Sequence, residues 1–267
     1  MTTSDAPSLA APAPLADRAP ADRDAAPQYV LPLVVRIERA VPPGPPARAD
    51  ALETAARAVL ALLSDERTAD PGGDWHPLVR AWQDGRIRKV VRRARGAEWR
   101  RVQALPGLTV TGSGAVDAEG AGSSGSTEGT RSTAPAEVRV FPPVPLDGWP
   151  KELARLQVSG TELTDPAPPA APAPGTPVLW LNPALEMSAG KAMAQAGHGA
   201  QFVWWALDDG ARTAWRAAGF PLAVRTAPPG RWAELTAAGL PVVRDAGFTE
   251  IAPGSATVVA DHPALRR

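Results

Sequence analysis

The C-terminal third alternates short apolar runs with segments of helical period. "PVLWLN", 177–182, is a short apolar run and predicts a strand. "SAGKAMAQAGHGAQFVWWAL", 188–207, predicts a helix, and "DDGARTAWRAAG", 208–219, a shorter one closed by Gly219. "PLAVRTA", 221–227, predicts a strand, and "GRWAELTAAG", 230–239, a helix closed by Gly239. "LPVVRDAG" and "SATVVAD" predict two last strands joined by "GFTEIAPG". Strands alternating with helices in this way imply an α/β fold, a mixed sheet flanked by helices.

The first half follows the same order. "YVLPLVVRIER", 29–39, predicts a strand. "RADALETAARAVLALLSDE", 48–66, predicts an amphipathic helix with Leu52, Ala55, Ala56, Val59, Leu60 and Leu63 on its apolar side. "PLVRAWQDGRIRKVVRRA", 77–94, reads as helical at least in part. "LPGLTV" and "AEVRVFPPVP" predict strands on either side of a Gly/Ser-rich run. The lines starting at Ala81 and Ala214 can be laid over each other. Trp82 then matches Trp215, Val90 Val224, Gly96 Gly230, Trp99 Trp232, and Gly107–Leu108 Gly239–Leu240. The expectation is an internal duplication, a pseudo-dimer of two copies of one small α/β unit, the N-terminal copy degenerate.

Composition sets the boundaries between these parts. Residues 1–28 and 111–136 carry few large apolar side chains and are expected to be disordered. Residues 165–177 are a Pro/Ala linker, which leaves foldable units at 29–160 and 178–267. The chain has 267 residues and no cysteine, which excludes disulfides, thiolate metal sites and cysteine nucleophiles. There is no signal-peptide pattern at the N-terminus and no apolar run of membrane-spanning length, so a cytoplasmic protein is expected.

Formal net charge is zero, so only the distribution of charge bears on a nucleic-acid partner. Residues 80–101 concentrate it, with Arg86, Arg88, Lys89, Arg92 and Arg93 among its cations and Trp82 and Trp99 interleaved. Such a segment could hold an RNA backbone, or be a solvated face with the tryptophans in the core. Of the cations in the chain only Lys89, Lys151 and Lys191 are lysines, in an Ala/Pro/Gly/Arg-rich background. A compact ammonium does things a planar guanidinium cannot.

The chemistry is densest at "GKAMAQAGHGAQ", 190–201. Lys191, Gln195 and His198 stand at spacings of four and three, on one face of a helix, among small residues that would let substrate or a neighbouring backbone come close. The block "MSAGKAMAQAGHGA" together with "DAGFTEIAPGS", 245–255, resembles the signature of the archaeal/eukaryotic-type, or type 2, peptidyl-tRNA hydrolases. Met187, Gly190, Lys191, Ala194, Gln195 and His198 are in register in the first block, and Asp245 to Gly247, Thr249 and Ile251 to Ser255 in the second.

The resemblance implies a mixed four-stranded α/β sandwich, usually homodimeric, that hydrolyses the ester between peptide and tRNA and so recycles tRNA. It implies no metal or organic cofactor. Lys191 would meet a phosphate or oxyanion, Gln195 would orient a carbonyl or water, and His198 would move a proton or hold structure. Asp245 would orient or activate water, and Thr249 would bond substrate. Arg86, Arg88, Lys89, Arg92 and Arg93 would contact tRNA. The sequence departs from the family where Phe248 replaces an Arg, Glu250 a Gln, and Asn182 and Ala184 the usual Arg and Asp. Phe248 and Glu250 make the cleft less positive, which works against an anionic ligand. The alternative is a catalytically weakened tRNA-binding protein on the same fold.

Overall fold

The computed structural model describes residues 27–38, 44–113, 133–247 and 251–266. The first 26 residues and 114–132, where disorder is expected, lie outside the described residues, as do Phe248, Thr249 and Glu250.

The first half runs β1 (Tyr29–Arg36), α1 (Arg48–Ser64), α2 (Glu66–Ala69), α3 (His76–Asp84), β2 (Arg88–Ala94), α4 (Gly96–Gln103), β3 (Leu108–Thr111), β4 (Glu137–Val140), β5 (Val144–Pro145) and α5 (Lys151–Ala154). The second runs β6 (Val178–Leu181), α6 (Ala189–Ala206), α7 (Asp209–Ala217), β7 (Ala223–Thr226), α8 (Arg231–Ala237), β8 (Val242–Arg244) and β9 (Ala256–Asp261). The expectation that 77–94 is helical at least in part holds for its first part only: α3 ends at Asp84 and β2 begins at Arg88. The Lys89–Val91 pair, two apart and buried, has strand and not helix spacing, and the arginines before and after it hid that period.

The two sheets have the same strand order and directions. The first is β2-β1-β4-β3 and the second β7-β6-β9-β8. In each, the first strand pairs parallel with the second and antiparallel with the fourth. In each, the third and fourth strands pair antiparallel. β1 is covered on both faces and so reads as a continuous apolar run. Its Pro32 is tolerated because a strand residue's N and C=O point the same way. Pro32 O accepts from Phe141 N at 3.2 Å, so the missing donor falls in the gap between β4 and β5.

Helices α1 and α6 lie side by side between the sheets. α1 packs on β3 and β4 and reaches β7, while α6 packs on β8 and β9 and reaches β2. One cluster of buried side chains runs through both halves, from Leu33, Val59 and Val140 to Leu179, Met193 and Val258. Smaller clusters fill the outer faces, around Trp99 and Phe141 in the first half and Leu235 and Val259 in the second. The 165–177 segment has no helix or strand but is tied down, with Arg225 donating to Ala170 O at 2.9 Å.

The two halves correspond in further details. Trp82 Nε1 donates to Arg88 O and Trp215 Nε1 to Pro221 O, each 2.9 Å and each six residues on. Leu33 stands between Val91 and Val140, and Leu179 between Val224 and Ala260. The partner of Val224 by facing is therefore Val91, one residue from the Val90 expected from the sequence. Both are buried in the shared core, and a one-residue slip turns a strand residue to the other face.

Among the described residues no helix is long and apolar enough to cross a membrane.

Candidate active site

Helix α6 opens at Ser188, whose Oγ accepts from Lys191 N at 3.3 Å, a cap worth about 1 kcal/mol. The cap fixes where the stripe starts, so Lys191, Gln195 and His198 climb one side over nearly two turns. The small residues beside them serve packing. A Cβ on Gly199 would lie 2.9 Å from Val258 Cγ1, and one on Gly197 3.0 Å from Val59 Cγ2. One on Gly190 would lie 2.9 Å from Thr161 Oγ1, whose oxygen accepts from Gly190 N. Each helical glycine costs roughly 0.5–1 kcal/mol against alanine, so the close contacts with α1 and the sheet account for them. They let neighbouring side chains sit against the backbone of α6.

Lys191, Gln195 and Asp245 come together on one carboxylate oxygen. Lys191 Nζ lies 2.5 Å and Gln195 Nε2 2.7 Å from Asp245 Oδ2. Asp245 Oδ1 accepts from Gly247 N at 2.8 Å. Gly247 holds this turn at φ 78°, a left-handed conformation that glycine adopts freely. Asp245's own backbone pairs with Ser255 O at 2.9 Å and Gly254 N at 2.7 Å, closing the β8–β9 loop behind it. Thr257 on β9 donates to Gln195 Oε1 at 2.6 Å. Gln195 is therefore buried with both ends of its amide engaged, and it orients Asp245. Thr257, one strand residue from the motif, was missed by sequence reasoning. Its only signal is that β9 places it in the core as a polar residue.

His198 lies on the same helix but does not join that set. Its Nδ1 is 2.9 Å from Lys89 Nζ, which also donates to Gln201 Oε1 at 2.5 Å. Burial, with the Lys89 and Lys191 cations nearby, holds the imidazole well below its ordinary range, so it is neutral at pH 7. Burial likewise pushes the Lys89 ammonium well down.

A cleft of about 670 Å³ joins these groups. One wall is Lys191, Gln195 and His198 with Asp245, and the other is the start of β2 with Arg86, Arg88 and Lys89. The basic segment thus faces the cleft only at its first end. Arg92 donates to Ala154 O at 3.1 Å and to Leu156 O at 2.5 Å, and stands over the Trp149 ring. Arg93 donates to Ser159 O and Gln157 Oε1. Both clamp the 154–159 segment to β2. Lys89, expected among the tRNA contacts, lines the cleft but is buried, with its nitrogen turned toward His198 and Gln201. Trp82 and Trp99 are core residues. Asn182, at a position where the sequence departs from the family, holds the end of the sheet: its Nδ2 donates to Ala256 O and its Oδ1 accepts from Ala184 N. Among the described residues no group of three or more His, Asp or Glu side chains could hold a metal ion.

The equivalent place in the first half is built otherwise. α1 carries Asp50, Thr54 and Arg57 at the same spacings of four and three from its start. Asp50 accepts from Ser113 N at 3.1 Å and Ala136 N at 2.7 Å, and Arg57 donates to Thr54 Oγ1 at 3.0 Å. In the second half an acid on the loop binds a helix amine. In the first, an acid on the helix binds loop amides and no amine is presented.

Residues 176–267 match the family model of peptidyl-tRNA hydrolase PTH2. The peptidyl-tRNA hydrolase match covers the C-terminal part of the chain, which contains both sequence blocks and the Lys191–Gln195–Asp245 set. No curated protein and no solved structure matches the chain.

Proposed function

We propose that the chain hydrolyses the ester between the peptide and the terminal ribose of peptidyl-tRNA, in the cytoplasm where that substrate arises. The observation that carries this reading is the single Asp245 oxygen shared by Lys191 and Gln195 at the floor of an open cleft. An ionised carboxylate offers about four acceptor sites. Three are taken, by Lys191, Gln195 and Gly247, and the last can orient a water. That water's oxygen attacks the ester carbon and its proton passes toward Asp245. The carbonyl electrons move onto an oxyanion, which the nearby positive charge of Lys191 is proposed to stabilise. The carbon–oxygen bond to ribose then breaks, and the ribose oxygen takes up the proton that Asp245 received from the water. Thr249 is proposed as a substrate hydrogen-bond partner. Arg86 and Arg88 on the opposite wall are proposed to hold the backbone of the tRNA end.

The chain is further proposed to be a fused pseudo-dimer with its N-terminal copy retired from catalysis. The common strand order, the reciprocal packing of α1 and α6, and the matched Trp82 and Trp215 hydrogen bonds support this.

The test is release of the blocked amino acid from an N-blocked aminoacyl-tRNA, alongside filter binding of the same tRNA. Asp245→Asn keeps the shape and removes the acceptor charge. Hydrolysis by the wild type, lost in Asp245→Asn with binding retained, is the expected result. Binding without hydrolysis in the wild type would make this a tRNA-binding protein on the same fold.

A further inference from the structure

We propose that Lys89, contributed by the N-terminal half, is a positioning residue of the cleft: it donates to His198 Nδ1 and so presents Nε2–H of a neutral ring to the substrate. The consequence for hydrolysis rests on the proposed function of the cleft, whereas the contact itself does not.

Lys89 stands on β2, a strand at the sheet edge, with its side chain turned toward α6. Three groups surround its nitrogen. His198 Nδ1 is at 2.9 Å, Gln201 Oε1 at 2.5 Å, and the face of the Trp82 ring at 4.8 Å from its centroid. A lysine nitrogen is a donor to both Nδ1 and Oε1, and the Trp82 ring face offsets part of the cost of its charge. The donor to Nδ1 leaves that atom as acceptor, and the ring proton then resides on Nε2. Nε2 has no hydrogen-bond partner among the described residues, and His198 lines the cleft. The ring is thereby oriented from behind by a residue that belongs to the other half of the chain.

The arrangement is costly as packing. Among the described residues no carboxylate pairs with Lys89, and an ammonium buried without counter-charge is among the least favourable groups in a core. At the place that Lys89 occupies on β2, 133 residues later, the chain has Leu222 in the shared core. An apolar residue therefore fits such a position. A lysine is explained by what it holds. Gln201, wholly buried on α6, serves the same end by fixing where Nζ sits.

The charges around the pair leave this role to Lys89. On α6, Lys191 is held by Asp245. On α1, Asp50 lies 3.9 Å from Arg57, and Glu53 binds Arg225. On α3, Arg80 and Asp84 face each other at 4.0 Å. Arg86 and Arg88 lie on the cleft side of β2.

The experiment reads the imidazole directly. Long-range nitrogen–proton NMR spectra of the full chain are recorded against pH for the wild type and Lys89→Met. His198→Gln assigns the signal among His76, His198 and His262. The wild type is expected to show a single Nε2–H tautomer for His198 with a midpoint well below 6.5. Lys89→Met is expected to show mixed tautomers and a midpoint moved up toward 6.5. Unchanged tautomer and midpoint in Lys89→Met would overturn the proposal. If Lys89→Met does not fold, Lys89→Gln is measured in the same way with the same criteria. In the hydrolysis assay Lys89→Met should lower kcat by about tenfold or more with KM within about twofold. A rise in KM alone would make Lys89 a phosphate contact and sink the positioning role, as would an altered ring with an unaltered rate. A wild type that hydrolyses nothing sinks the hydrolase reading, and with it the catalytic consequence, while the spectra still decide the contact.

Discussion

Lys191 Nζ lies 2.5 Å from Asp245 Oδ2, with side chains 12% and 6% exposed, so the cleft floor is an ion pair largely withdrawn from water. Breaking a buried pair by removing one partner costs about 3–5 kcal/mol, more than the pair itself contributes. Asp245 would keep Gln195 and Gly247 as donors, so Lys191→Met should lie at the low end, about 3 kcal/mol in urea denaturation. Lys191→Met combined with Asp245→Leu should regain most of that loss. A single-variant loss below about 1 kcal/mol would mean the pair behaves as an exposed one.

Thr257 acts on the cleft from beneath. Thr257→Val leaves Gln195 Oε1 buried without a donor, which should cost about 1–3 kcal/mol and lower hydrolysis. Thr257→Ser should restore both. A loss in Thr257→Ser as large as that in Thr257→Val would show that the methyl group's packing matters as much as the hydroxyl's hydrogen bond.

Gly199 sets the separation of α6 from the second sheet. Its absent Cβ would meet Val258 Cγ1 at 2.9 Å and Leu179 Cδ2 at 3.3 Å, both on buried residues. Gly199→Val overfills this contact, and a loss of about 2 kcal/mol is expected in thermal unfolding. A neutral or stabilising result would show that the sheet can move aside and that helix propensity dominates.

Stability should fall on mild acidification. Burial depresses both His198 and His262 below 6.5, so below that pH the unfolded chain binds more protons than the folded one. The contribution is complete above pH 6.5 and is lost as pH falls below it, by up to about 1.4 kcal/mol per unit for each histidine. His198→Gln should therefore flatten the slope of unfolding free energy between pH 6.5 and 5. Lys89 acts with the same sign at higher pH. Its depressed value makes the folded state gain stability as pH rises toward 10.5, and the difference between wild type and Lys89→Met should shrink or reverse along that range.

Arg86 and Arg88 line the wall opposite Asp245. Removing each should weaken tRNA binding and reduce the steepness of its dependence on log salt by about 0.7–0.9. Arg92→Ala, which frees the Ala154 and Leu156 carbonyls, should act on stability and leave that slope unchanged. A salt slope that changes equally in all three would put the whole basic segment on RNA.

The second half was legible because its signals are local. Ser188 and Gly219 mark helix ends, and the two blocks around Lys191 and Asp245 name the chemistry. What the sequence could not carry is facing. The period of β2 was masked because Arg88, Arg92 and Arg93 find partners along the strand's length, so polar residues fill positions that an exposed helix would also fill. Gln195 read as a substrate-facing amide because nothing local shows Thr257, 62 residues on, bonding its oxygen. Lys89 read as one cation among many because its partners His198 and Gln201 lie 109 and 112 residues away. The correspondence between the two halves was visible through tryptophans and glycines, whose roles depend on shape. The slip from Val91 to Val90 arose where only strand parity distinguishes neighbours.

Joining the two sheets through α1 and α6 in one polypeptide has an evolutionary consequence. In an assembly of identical subunits each substitution is made twice, at places related by the axis. A buried lysine useful at one interface would then burden the other as well. On the duplication reading, this chain escapes that constraint: lysine stands at 89 and leucine at 222, Asp50 latches one loop and Asp245 arms the other. Each half can be selected for a different task, one for chemistry and one for support, while the core they share keeps them from drifting apart in shape.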